Sequence, residues 1–532
     1  MSRRPSLRRS LHLAAVTVVA AGVLLALSTA LGNLWTADLG RDGSAFALRA
    51  HLWLRHGLLP YRDLWDHKPP GIFVADMLGE AVTGDPVLGA RAMESATILL
   101  CVALAVALGR RTASWAWGAC LAFWYLITTA QPALVQWGNF TELVLPPTAF
   151  LAALALTGRP SPRWTLVGVL CGAAVLFRPT AAGLWVGAAA AAMILGEERA
   201  GRRRALLRLT AGAAGPPALV ACVLWLHRLF PSFWDQVVTY NRMYAREAGG
   251  DLAAHVIRAW AHALWTIPGS RLLAALTVVL ALATAAGDRS PRDRGRRALA
   301  LFAAGSLAVI WSGESLSGRF WPHQLLMAAP FLVLLAASAS PPSPGRVRDL
   351  GLGLTAAAVL FLSPGLLGWW STGNTAHRAD AAHLAMRRFL QTAAEPGDRL
   401  QVWGAEDGLH LATGLLPASR YTYYYPLLTP GYGDRRRTNR FLQELETNRP
   451  RWVVTYVADT TLSPARAGAP AHAVFLAWLR RHGRPVARFG NLVCWELTWG
   501  GARRVAPPAG AGRSPASAGP RPPDPARRGR PR

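Results

Sequence analysis

Long apolar blocks separated by short arginine-bearing connections fill the first two-thirds of the chain. A run of about 17 to 25 apolar residues is enough to cross a hydrocarbon layer roughly 30 Å thick. Such runs fall at about 11–31, 87–109, 113–130, 141–157, 164–178, 180–196, 206–227, 268–286, 298–313, 322–340 and 350–370. The pattern therefore predicts an α-helical polytopic membrane protein of about eleven spans. Between the first two runs the period shortens. Phe46, Leu48, Ala50, Leu52, Trp53 and Leu54 interleave with Arg49, His51 and Arg55, as in a helix lying along the bilayer surface, and Gly57 and Pro60 end it. Pro69-Pro70 then stops any helix before a short amphipathic segment at about 71–83.

After the last run, helical and strand patterns alternate in the manner of a small α/β unit over about 372–500. Helices are expected at 374–394, 438–446 and 472–481, and strands at 400–404, 451–457, 486–489 and 492–497. Tyr421, Tyr423, Tyr424 and Tyr425 cluster between them. The remainder, 501–532, is Pro, Gly, Ala and Arg without apolar periodicity, the composition of a disordered tail. The expected organisation is thus a membrane module over 1–371 with a large first outer loop at 32–86, an α/β domain over 372–500, and the tail.

Charge fixes the sidedness of this arrangement. The net charge of +28 invites a nucleic-acid reading, but the arginines sit in short loops between apolar runs or in the tail, where they act as topology signals. Arg3, Arg4, Arg8 and Arg9 precede the first run and place the N-terminus in the cytoplasm; a twin-arginine export signal is the competing reading of 2–5. Alternating sides from there puts Arg110-Arg111, Arg159 to Arg163, Arg199 to Arg208, Arg289 to Arg297, and Arg346 with Arg348 on that same side. The C-terminal α/β domain then lies outside, and the chain is a multi-pass protein of the cytoplasmic membrane. Four of the five cysteines fall in apolar runs, so neither a disulfide framework nor a zinc spacing is present.

The outer connections hold the polar residues that carry chemistry. Lys68, in Tyr61-Arg62-Asp63-Leu64-Trp65-Asp66-His67-Lys68-Pro69-Pro70, is the only lysine among 57 basic residues. An ammonium is a compact point charge where arginine is a planar fork. With Asp38, Asp42, Asp63, Asp66, His67, Glu142, Arg178, Arg319 and His323 on the same face, the chain has the parts for moving a group from an anionic lipid donor to a hydroxyl. A carboxylate takes the hydroxyl proton and cations neutralise charge on a departing phosphate. Glu142 at the mouth of a span calls for a partner, and Arg178 or Lys68 meets the need. Each of these residues also has a plainer reading as a solvated loop charge, and a transporter or flippase of an anionic or lipid-linked solute would own the same set. A membrane-anchored scaffold whose α/β domain binds glycan through the tyrosines is a third reading.

Asp42-Gly43 opening an amphipathic helix, then Gly57-x-x-Pro60-Tyr61-x-Asp63 and Lys68-Pro69-Pro70, resembles the GT-C membrane glycosyltransferases of the family 39 and 83 type. Asn139-x-x-Glu142, Arg178-Pro179 and Arg319-Phe320-x-x-His323 are similar to further features of that group. The resemblance implies transfer of a sugar from a polyprenyl-phosphate carrier, with inversion, to a lipid, glycan or protein acceptor of the cell envelope at the outer face. It implies Asp42 as the catalytic carboxylate and Lys68, with Arg178 or Arg319, at the donor phosphate. Asp63, Asp66, Glu142 and Tyr61 are secondary candidates, and Tyr61 and Trp65 are expected to line the lipid and sugar pocket. Many relatives carry an acid after the aspartate where this chain has Gly43; the need for a divalent metal is open, with His323 or His67 as its ligands. No nucleic-acid partner is expected.

Overall fold

The computed structural model describes residues 7–158, 161–196, 198–247, 249, 251–266, 291–316, 318–339, 346–457 and 462–499. Five of its helices are long and apolar enough to cross a membrane, over Arg9–Thr36, Pro86–Thr112, Arg199–Leu226, Arg294–Ser315 and Gly351–Thr372. Shorter apolar helices at Thr141–Leu156, Trp164–Val175, Pro179–Leu195 and Pro322–Ser338, with α5 at Trp115–Thr129, occupy the other expected positions. The expected span at 268–286 and the tail at 501–532 lie outside the described residues. The chain is a multi-pass membrane protein.

The membrane helices meet through small residues, as they must where hydrocarbon surrounds them and only close packing drives association. A Cβ on Gly168 would stand 2.1 Å from the Leu209 carbonyl oxygen, and one on Gly212 would stand 2.3 Å from that of Thr165. The helices Trp164–Val175 and Arg199–Leu226 touch backbone to backbone at that point. The helix α4, Pro86–Thr112, is set by its own sequence: the Asp85 carboxylate caps it by accepting from the Val87 and Leu88 amides, and Pro86 takes the first helical position.

Between the first helix, α1 (Leu7–Thr36), and α4 lie α2 (Arg41–His56) and α3 (Gly71–Thr83). The helix α2 forms where the period predicted, but its setting differs from a helix lying at a lipid surface. Residues 43 to 50 and Leu52 are all buried, Arg49 included. Membrane helices lie on one side of it, and the C-terminal α/β unit closes over the other.

That unit carries a five-stranded sheet in the order β2-β1-β3-β5-β4, with β1 Arg399–Trp403, β2 Leu416–Pro417, β3 Trp452–Tyr456, β4 Gly483–Phe489 and β5 Leu492–Leu497. The first three strands run parallel, β5 pairs antiparallel with β3, and β4 pairs antiparallel with β5 at the edge. Side chains alternate between faces along each strand. Val402, Val454 and Cys494 meet Met386 and Leu390 of the helix Ala381–Ala393 on one face. On the other, Trp403 and Val453 meet Phe441, Leu445, Phe475 and Leu479 from the helices Arg435–Asn448 and Pro470–His482. The two-residue β2 and the short helix Gly408–Thr413 escaped the sequence pattern because neither is long enough to show a period. The second face continues outward through Tyr421, Tyr423 and Tyr424 to Trp65, Ala45 and Tyr240. The tyrosine cluster is therefore the joint between the unit and the membrane module.

Candidate active site

The loop between α2 and α3 is built around Lys68. Asp63 turns the chain: its carboxylate accepts the Leu59 amide at 2.9 Å and pairs with Arg62 at 2.8 Å. Tyr61 sits at φ +70°, a conformation a bulky side chain avoids unless its surroundings impose it. The surroundings do so. The Tyr61 amide donates to the Leu64 carbonyl, Gln236 donates to the Tyr61 carbonyl, and the buried phenol donates to the Lys68 carbonyl at 2.7 Å. The Asp66 carboxylate accepts the Lys68 amide at 2.9 Å. Lys68 is thus held by its own backbone at both ends, with Pro69 and Pro70 behind it. Its ammonium is half-buried and makes no hydrogen bond or ion pair among the described residues.

Other cations of the site are engaged. Arg178 donates from Nε to Glu314 at 2.5 Å, from Nη1 to Thr141 at 3.1 Å and to Glu142, and from Nη2 to the second oxygen of Glu314. The carboxylates of Glu142 and Glu314 are buried. Arg319 pairs with Glu247 at 2.6 Å and lies 4.2 Å over the Tyr244 ring, while Arg466 from the α/β unit holds the same Glu247 at 2.7 Å. His323 stacks on Phe140 at 4.2 Å and stands 3.7 Å from Glu142. His67 is enclosed by Tyr240 and Tyr423; burial, reinforced by the neighbouring Lys68 charge, holds its pKa well below the ordinary histidine range.

Asp42 is the opposite case. It lies exposed in the first turn of α2, where the helix dipole favours a carboxylate, and it makes no hydrogen bond or ion pair among the described residues. Its charge acts on Arg178, Tyr244 and His323. The Lys68 charge acts on Glu142 and His323. One uncommitted carboxylate and one uncommitted ammonium therefore share a site whose remaining charges are matched to each other.

Gly43 follows from the packing beside Asp42. A Cβ there would lie 3.0 Å from the Asn139 side chain and 3.1 Å from the Gly138 carbonyl oxygen. Asn139 donates to the Gly43 carbonyl at 3.0 Å and to Asp76 at 2.9 Å, and it holds φ +51° beside Gly138 at φ +65°. A second acid cannot enter at position 43 without moving that segment. Among the described residues, no group of three or more His, Cys, Asp or Glu side chains is placed to hold a metal ion.

The structure thus gathers Asp42, Lys68, Glu142, Arg178, Arg319 and His323 around one site. It separates Asp63, which serves a turn, and buries Asp66, Tyr61 and Trp65 as supports rather than as an open lining. Glu314, Glu247, Arg466, Arg49 and Asp407 were not anticipated as site residues. Glu314 carried a legible signal, an acid at the end of a span just like Glu142. The others come from distant segments and had none.

No protein-family model matches the chain, and no curated protein sequence matches it. Its fold does match solved structures. The ArnT of Cupriavidus metallidurans bound to undecaprenyl phosphate aligns with a TM-score of 0.61 at 15% identity, over 90% of this chain and 97% of that one. The apo state of the same protein gives 0.60 and 15%, over 91% and 98%. The alignment covers nine-tenths of the chain, so the chain shares the fold of that protein.

Proposed function

We propose that this GT-C-type chain is an inverting glycosyltransferase that moves a sugar from a polyprenyl-phosphate carrier to an acceptor hydroxyl at the outer face of the cytoplasmic membrane. The observation that carries the reading is an ammonium, Lys68, and a carboxylate, Asp42, that both act on His323 and make no hydrogen bond or ion pair among the described residues, in a site whose other charges are matched to one another. A carrier phosphate needs a cation that is free to meet it, and an attacking hydroxyl needs a base that is free to take its proton.

Asp42 accepts the proton as the acceptor oxygen bonds to the anomeric carbon from the side opposite the phosphate. The bond from that carbon to the phosphate oxygen breaks, and the electron pair leaves with the polyprenyl phosphate. Lys68 contacts the phosphate as this charge develops, and Arg178 and Arg319 add positive potential from positions fixed by Glu142, Glu314 and Glu247. The ArnT relative in fold was solved with undecaprenyl phosphate, which supports a polyprenyl-phosphate ligand here. No step is assigned to a metal: among the described residues no three His, Cys, Asp or Glu side chains are placed to hold one, and Asn139 crowds position 43.

The test is transfer of radiolabelled sugar from a polyprenyl-phosphate donor in proteoliposomes, with envelope lipid, glycan and protein acceptors supplied separately. Transfer that is lost in Asp42→Asn supports the reading and identifies the acceptor. Full turnover of correctly inserted Asp42→Asn overturns the assignment.

A further inference from the structure

Arg49 lies on α2, two helical turns after Asp42, and its side chain is 0% exposed. An arginine so deep in a protein requires its donors to be met. Nη1 donates to Asp407 at 2.8 Å and to the Ala45 carbonyl at 2.7 Å, Nη2 donates to Thr422 at 2.8 Å and to the Trp65 carbonyl at 3.2 Å, and Nε stands 2.5 Å from Asp66 in an ion pair without a hydrogen bond's alignment. Thr422 donates in turn to Asp407 at 3.1 Å, and the guanidinium lies 4.9 Å over the Tyr423 ring.

These bonds join three separate parts of the chain at one residue. Asp407, Thr422 and Tyr423 belong to the α/β unit; Trp65 and Asp66 belong to the Lys68 loop; Ala45 and Arg49 belong to the helix that carries Asp42. Asp66 is the hinge of the arrangement, since one of its oxygens meets Arg49 while the other accepts the Lys68 amide. The backbone repeats the connection, with the Trp65 amide donating to the Arg420 carbonyl at 2.9 Å. A buried ion pair of this kind contributes little net stability but enforces one arrangement, because any other leaves a charge unpaired.

We propose that Arg49 is a positioning residue through which the α/β unit sets the place of Lys68 relative to Asp42, so that the unit is a structural part of the phosphate site. The inference rests on the reading of Lys68 as the contact to the carrier phosphate. It assigns the α/β unit a role that needs no glycan bound to its tyrosines, which are taken up in the joint. It also explains why the chain keeps a network of buried charges where apolar residues would fold as well.

The experiment measures binding of undecaprenyl phosphate, without sugar, to the full chain in nanodiscs. Wild type, Thr422→Val, Asp407→Asn, Lys68→Ala, and Lys68→Ala combined with each of the first two are compared. Thr422→Val keeps the shape and removes one bond to Arg49, which guards against a variant that simply fails to fold. Thr422→Val and Asp407→Asn are expected to weaken binding roughly threefold to thirtyfold with folded protein recovered, and to have no further effect when Lys68 is already alanine. Equal binding in folded Thr422→Val and Asp407→Asn overturns the inference, as does a loss that adds fully to that of Lys68→Ala. Wild-type protein that binds no undecaprenyl phosphate overturns instead the reading of the site on which the inference rests.

Discussion

Removing the Lys68 ammonium is the sharpest perturbation the structure offers, because Lys68 makes no hydrogen bond or ion pair among the described residues. Lys68→Ala leaves no buried carboxylate without a cation: of the acids its charge acts on, Glu142 keeps its bond to Arg178 and Asp66 keeps its ion pair with Arg49. The folded state should therefore lose no more than the roughly 0.5 kcal/mol of an ordinary exposed substitution. The whole effect should appear in the reaction. A charge-assisted hydrogen bond is worth about 1.5–3 kcal/mol, and about 1.36 kcal/mol corresponds to a factor of ten in rate. Transfer from a polyprenyl-phosphate donor in proteoliposomes should consequently slow by roughly tenfold to a hundredfold. Lys68→Arg should recover part of the loss at most, since the planar fork cannot occupy the place of a compact ammonium. A melting curve on the same preparation separates the two effects. Full turnover in Lys68→Ala refutes the phosphate contact, and a large drop in melting temperature refutes the claim that its ammonium is uncommitted.

Arg178 should behave in the opposite way. Arg178→Met takes the arginine cation away from Glu142 and Glu314, both buried, and breaking such a pair from one side costs about 3–5 kcal/mol, so thermal melting should fall sharply along with activity. Arg178→Met combined with Glu142→Gln and Glu314→Gln should regain much of that stability, and failure to do so in the melt would contradict the charge matching. Asp42→Asn should reduce transfer by roughly a hundredfold or more, the usual scale for a general base, with the melting temperature unchanged. Asp76 supplies a pH test. Burial first, with Glu94 beside it, carries its carboxyl up to about 8 against the pull of the Asn139 hydrogen bond. A carboxyl whose folded pKa exceeds its unfolded value near 4 contributes stability that is complete below about pH 4 and is lost as pH rises towards about 8. Asp76→Asn should thus gain stability over wild type progressively between about pH 5 and 8. A difference in melting temperature that does not vary with pH would refute the placement of a neutral carboxyl there.

Local composition was enough to draw many of the elements. Apolar length set the spans, because a helix must satisfy its own backbone to cross hydrocarbon. The 3.6-residue period drew α2, the strand alternation drew β1, β3, β4 and β5, and Pro69-Pro70 marked the start of α3. The polar residues of the connections between spans, with the single lysine among them, supplied candidates that the fold brings near one another. Tertiary structure alone decided which of those charges are free. Asp63 and Asp42 look alike in the sequence, yet one turns a loop and the other stands at a helix start with no hydrogen bond or ion pair among the described residues. Arg178 and Lys68 are both cations beside the spans, yet Glu314, which comes 136 residues after the first, pairs with it, and the second makes no hydrogen bond or ion pair among the described residues. Arg49 interrupts an apolar helix face like any surface arginine; only the folding of Asp407 and Thr422 onto it makes it a buried tie. Charges act through distance and burial, and between segments hundreds of residues apart these are fixed only when the chain has closed on itself.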